Sequence, residues 1–277
     1  MSTFSFSEQQ CLDFVELSPQ AVGAHDWPAW RDLFARYSLV EDPVGALPCV
    51  RRPGDDPERE PLARFYRTFI APNAVSFEVH RDTVCGQHVW RDLDIHITLP
   101  SGASVVTPTH LCYELVEEAG QLRIFRLAAY WELLTTARSQ SGGAGALWRM
   151  LREMGPRGVA GYMRGLGGVG DKGKGRVTAL QRRLDAGQPL DDLFTGAVDA
   201  PVTLDAQAKL LSIDAFREQV REVRLSKLLA AGQYVSATAQ INWRDQELHG
   251  VALFRLHPAS LAVESLDFYC QPRPASE

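Results

Sequence analysis

Twice along this chain the spacing of apolar residues changes from a period near four to a period of two. Leu12, Phe14 and Val15 follow Ser7, whose spacing to Gln10 predicts a capping box and a helix start. Ser18-Pro19 predicts a second short helix, and Asp26 a third carrying Trp27, Trp30, Leu33 and Phe34. SLVEDPVG reads as a short strand ending in a turn, and Glu60 to Phe69 as a further helix. After it the alternation is that of strands: SFEVHRDTVCGQHVWRDLDIHITL, then ASVVTPTHLCYELVEE and QLRIFRLAAYWEL, with turns at Pro100-Ser101-Gly102 and Ala119-Gly120. The second half repeats the order. Val177 to Leu184 and Pro189 to Phe194 read as helical, and DAPVTLDAQAKL as a strand. Ser212-Ile213 opens a helix through Phe216 and Val220. YVSATAQINW, ELHGVALFRL and SLAVESLDFY then form a meander. Helices followed by an antiparallel meander, twice, predict an α+β chain of two similar domains. The expected boundaries are 1–137 for the first domain, 138–175 for a connector and 176–277 for the second.

The connector is rich in glycine and basic residues. Gly168 with Gly173-Lys174 approaches a phosphate-loop pattern, and Gly165 to Gly170 reads G-x-G-x-x-G. Both patterns need a strand leading in, and the first needs Ser or Thr where Gly175 stands. Neither condition is met, so no nucleotide and no other cofactor is expected. Ala144 to Met154 predicts a short helix stopped by Gly155-Pro156. Two readings of the connector stand: a packed spacer, or a weak contact with a membrane surface or another anionic partner. The net charge of −5 argues against nucleic acid as a partner. Five scattered cysteines, the absence of a recognisable leader in MSTFSFSEQQ and the lack of a long apolar run predict a cytoplasmic protein with reduced thiols. No two histidines show ligand spacing, so no metal site is expected.

Val40-Glu41-Asp42-Pro43-Val44-Gly45, placed just after a helix, resembles the base-bearing segment of ketosteroid isomerases. Val105-Val106-Thr107-Pro108 resembles a strand of the same family. The resemblance spans residues 7 to 136 and is weaker over 175 to 272. It implies a tandem member of the ketosteroid isomerase/SnoaL-like group, with two cone-shaped nuclear-transport-factor-2-like domains. Each cone would be a curved antiparallel sheet wrapped around helices and an apolar pocket. In that family an Asp moves a proton between two carbons while a Tyr and a protonated Asp donate hydrogen bonds to the developing oxyanion.

Carried over position by position, Asp42 matches the base; the alternative is an Asp that only starts the turn before Pro43. His110 stands where the family has its acidic donor, and is either Asp42's polar partner or a satisfied histidine of a half-buried strand. The family's Tyr has no counterpart, since the count reaches Ser18; Tyr66 or Tyr130 could enter instead. Leu93, Ile95 and Ile97 are expected to line the pocket, with Val106 and Cys112 of the next strand counted with them. Asp92, Asp94 and His96 then lie on the outer face, which the family uses for dimer contacts. In the second domain the donor position falls near Ala252, and Asp205 is the nearest carboxylate to the base position. That domain is expected to lack the chemistry and to replace a homodimer partner by an intramolecular one. Two functions follow: an isomerase, cyclase or dehydratase acting on an apolar steroid- or polyketide-like carbonyl compound, or a non-catalytic binder of a sterol, lipid or other small hydrophobic ligand.

Overall fold

The computed structural model describes residues 4–132, 143–195, 202–204 and 209–272. They form two six-stranded sheets. The first contains β1 (Phe34–Glu41), β2 (Cys49–Arg51), β3 (Ala74–Cys85), β4 (His88–Thr98), β5 (Ser104–Glu118) and β6 (Gln121–Tyr130). The second contains β7 (Val202–Leu204), β8 (Lys209–Leu211), β9 (Val220–Ala231), β10 (Tyr234–Trp243), β11 (Gln246–Leu256) and β12 (Val263–Pro272). The orders β2-β1-β6-β5-β4-β3 and β8-β7-β12-β11-β10-β9 follow the same pattern from one end of the sheet to the other. Each sheet has one parallel pair, β1 with β6 and β7 with β12. The fold is α+β, and the repeat in the sequence is a repeat of architecture.

In the first unit the helices are α1 (Glu8–Gly23), α2 (Trp27–Asp32) and α3 (Pro61–Phe65), which runs on into a π-helical turn, Tyr66–Ile70. Ser7 caps α1 reciprocally: its Oγ accepts from the Gln10 N–H at 3.2 Å, and its own N–H donates to Gln10 Oε1 at 2.8 Å. α1 runs straight through Ser18-Pro19, so that pair opens no second helix. The bond lost at Pro19 is offset by burial of α1's inner face, where the Ser18 hydroxyl accepts from Trp30 Nε1 at 3.1 Å. Cys11, Val15, Trp30, Phe65, Leu93, Leu111 and Ile124 fill the space between helices and sheet.

The connector includes α4 (Gly143–Met163), which leaves helical geometry at Gly155, next to Pro156. A 3-10 turn, Arg164–Leu166, leads to α5 (Gly170–Asp185). This helix starts inside the glycine run, ahead of the expected Val177, and buries Val177 and Leu180. The residues leading into the run are helical, not a strand. Pro189 to Phe194 contains only a 3-10 turn, Asp191–Leu193, and VTLDAQAKL supplies two short strands rather than one. α6 (Ile213–Gln219) is capped by Ser212 and ends where β9 begins. The start of β9 is read in the sequence as the end of a helix. Arg221, Glu222, Arg224 and Lys227 mask its alternation, and two register shifts against β10 break its period. Phe216 stacks on Phe268 at 5.3 Å in the second core, which also holds Ala252. Asp205 lies outside the described residues.

The two sheets meet through the faces that turn away from their helices. Val44, Trp90, Cys112, Ala128 and Tyr130 pack against Ala231, Val251 and Leu253. Trp90 lies 4.9 Å from Tyr269 and 5.4 Å from Tyr130, ring centre to ring centre. Complete burial of such side chains stabilises the contact by about 1.5–3 kcal/mol each. A polar cluster is set into this apolar contact. Lys227 Nζ donates to Asp92 Oδ1 at 2.6 Å and to the Leu93 carbonyl at 2.8 Å. The Thr238 hydroxyl donates to Asp92 Oδ2 at 2.5 Å. Its one hydrogen is thereby used, so His110 Nε2 donates to the Thr238 oxygen at 3.0 Å. His110 Nδ1 then accepts from Ser236 Oγ at 2.8 Å. Burial, outweighing the nearby Asp92 charge, pushes the His110 imidazole down to about 4, and it stays neutral.

Candidate active site

Asp42 follows the last residue of β1 and lies on the helix side of the first sheet, the side shared by Val40. Trp131, just past β6, donates from Nε1 to Asp42 Oδ1 at 2.5 Å. Burial raises the Asp42 carboxyl to about 6, and the Trp131 bond pulls the other way without cancelling it. The group is thus a carboxylate at neutral pH, but a more basic one than a solvated Asp. Its charge reaches Cys49, whose thiol burial first and Asp42 second push up to about 12. It also reaches Tyr162, whose phenol is raised by burial and then by Asp42 and Cys49.

Tyr162 belongs to α4, so the connector supplies a wall of the site. Its ring stacks on Phe69 at 4.8 Å and 22°. The Gly161 carbonyl accepts from the Leu47 N–H at 3.0 Å. Arg67 Nε and Glu153 pair at 3.3 Å farther along the same helix. Asp42, Cys49, Phe69, Trp131 and Tyr162 are all half-buried, and Leu47 is exposed. Together they make a half-buried, mostly apolar cluster that holds one carboxylate and one phenol. Sequence reasoning does not single out Tyr162. It sits in a glycine-rich stretch more than a hundred residues from Asp42, with no periodic pattern to orient it.

The other candidates divide by face. Leu93 and Ile95 belong to the first core with Tyr66, whose ring packs 5.1 Å from Trp27 and 6.0 Å from Trp30. Ile97 is half-buried on the same side of β4. Four residues do not join them. His110, Cys112 and Tyr130 face the second sheet, and Val106 is 52% exposed. The reason is register: Asp92 pairs with His110 and Trp90 with Cys112, and opposite residues of an antiparallel pair share a face. With Asp92 and Trp90 outward, His110 and Cys112 must be outward too; Leu93 and Ile95 are instead opposed by Thr109 and Thr107. His110 is therefore the satisfied strand histidine, not a partner of Asp42. His96 pairs across the strands with Glu78 at 3.1 Å, while Asp94 meets His80 at 3.4 Å.

A concavity of about 610 Å³ lies elsewhere, lined by Asp32, Phe34, Arg36, Arg51, Glu118, Ala119, Gln121 and Arg123. It shares no residue with the Asp42 site. Its three arginines outnumber its two acidic residues, and Arg51 Nη1 is already bonded to the Arg31 and Phe34 carbonyls at 3.0 Å each. Among the described residues no helix is long and apolar enough to cross a membrane.

Residues 15–124 match the family model of the SnoaL-like domain. Over that stretch the first unit is thus similar to a SnoaL-like domain. No curated protein matches the chain. Among solved structures it is similar to the Δ5-3-ketosteroid isomerase of Mycobacterium sp., at 24% identity over 46% of this chain and 95% of that one, with a TM-score of 0.37. It is also similar to a Mycobacterium tuberculosis protein solved with estradiol-17beta-hemisuccinate, at 22% identity over 45% and 95%, TM-score 0.39. A third is an epoxide hydrolase/cyclase-like enzyme with a role in pyran ring formation in polyether salinomycin, at 20% identity over 46% and 95%, TM-score 0.40.

Proposed function

We propose that the first unit binds an apolar carbonyl compound beside the Asp42 cluster and that Asp42 is the general base that moves a proton next to the carbonyl. The reaction would be an isomerisation, or a related cyclisation or dehydration. The observation that carries this reading is the Asp42 carboxylate itself. It is half-buried beside Cys49, Trp131 and Tyr162, raised to about 6, and held in one orientation by the Trp131 indole. A desolvated, oriented carboxylate is a competent base near neutral pH. A charge developing on the substrate oxygen needs a donor, and the Tyr162 phenol is the group of that kind within reach of the Asp42 charge.

The test uses a β,γ-unsaturated 3-ketosteroid, with formation of the conjugated enone followed by ultraviolet absorbance and a binding titration run in parallel. Asp42→Asn is expected to lose turnover by about a hundredfold or more while keeping binding. Tyr162→Phe is expected to lose less. Turnover unchanged in Asp42→Asn would remove the base from the proposal. Saturable binding without turnover in the wild type would leave a hydrophobic-ligand carrier as the function.

A further inference from the structure

The segment that carries Asp42 is gripped from the far side by the second half of the chain. After Asp42, the Val44 N–H donates to the Ala129 carbonyl at 2.9 Å, and the Val44 side chain packs against Ala231 at the end of β9. Gly45 then passes so close to Gly232, in the β9–β10 turn, that a methyl group on Gly45 would lie 2.6 Å from the Gly232 Cα. Gly232 itself has φ +56, and a methyl there would lie 2.8 Å from the Gly45 Cα. Behind it, the Gly232 carbonyl accepts from the Val169 N–H at 2.9 Å, and a methyl on Gly168 would strike that carbonyl oxygen at 2.5 Å. Gly161 meets the other end of the segment, with room for no side chain before Leu47. The residue after Trp131 is held in the same way. Glu132 accepts from Lys174 Nζ at 2.6 Å and from the Ala230 N–H at 3.3 Å.

We infer that the β9–β10 turn of the second sheet and the connector glycines form a positioning clamp for Asp42, so that the site is built by both halves of the chain. Gly232 and Lys174 are its positioning residues. The inference rests on reading Asp42 as the base, but its test needs no turnover. It also accounts for Gly161 and Gly168 by close approach to Leu47 and Gly232.

The test reads the Asp42 carboxyl directly, by carbon-13 NMR of aspartate-labelled full-length protein, with the resonance assigned by its loss in Asp42→Asn. Gly232→Ala adds a methyl against Gly45; Lys174→Met removes the Glu132 tie without adding bulk at the turn. Each is expected to expose Asp42 further and lower its titration midpoint by about one pH unit or more. Gly102→Ala is the control. It has φ +84 and no neighbour within 4 Å of the added methyl, so it carries the backbone strain alone. A lowered midpoint in either clamp variant that folds, with Gly102→Ala unchanged, supports the clamp. Wild-type midpoints in every clamp variant that folds, or the same lowering in Gly102→Ala, would overturn it. Lowered midpoints in a protein with no isomerase activity would keep the clamp and reject the chemistry.

Discussion

The raised Asp42 carboxyl works against the fold, and the sign can be worked out. Its carboxyl titrates near 6 in the folded chain against an ordinary 3.8. Between these values the folded state holds the proton more tightly than the unfolded state. Stability is therefore lost as pH rises through that window, by roughly 2–3 kcal/mol when the loss is complete. Asn keeps an oxygen for the Trp131 indole and carries no charge to desolvate. Asp42→Asn is expected to be more stable than the wild type at pH 8 by about 2 kcal/mol, with the advantage fading toward pH 4. Urea unfolding at both pH values checks this; a variant less stable at pH 8 would mean that the charged form is favoured by contacts. As a candidate this residue stood out in the sequence because its signal is local: six consecutive residues after a helix. Tyr162 did not, because what brings it to Asp42 is the path of the connector.

At the scale of elements, the first meander was legible strand by strand, and so was the inward set of β4. What the sequence did not contain was which residue of β5 stands opposite which residue of β4. A strand turned by one position exchanges its two faces, and the family-based count along Val105-Val106-Thr107-Pro108 put His110 on the wrong one. β9 was missed for a different reason: its run of charged residues hides the alternation, and one of them serves the contact between sheets rather than a solvent face. That residue is Lys227. It is the cation for Asp92, whose carboxyl burial works to raise but His110, Lys227 and Thr238 together hold below the usual range. Lys227→Met is expected to cost about 3 kcal/mol at neutral pH, since it strands a largely buried carboxylate. Adding Asp92→Asn should recover much of that loss. Thermal melts of the two variants decide it, and a double variant no better than Lys227→Met would show that the pair is not the unit that matters.

At the scale of the whole molecule, Trp90, Cys112 and Tyr130 are already covered by the second sheet, so the face has no vacancy for another copy. Light scattering is expected to find a particle of one chain mass, 30.7 kDa. A particle of twice that mass would mean that a different face makes a dimer. The intramolecular contact has a further consequence. Two identical subunits related by a two-fold axis must use one sequence for both sides of their interface, so any substitution appears twice. Here the two sides are written separately. The half with Phe216 and Phe268 at its centre could change its packing while the half with Asp42 kept its own. Two sheets in one chain thus permit a division of labour that symmetry forbids, since each half can change without the other.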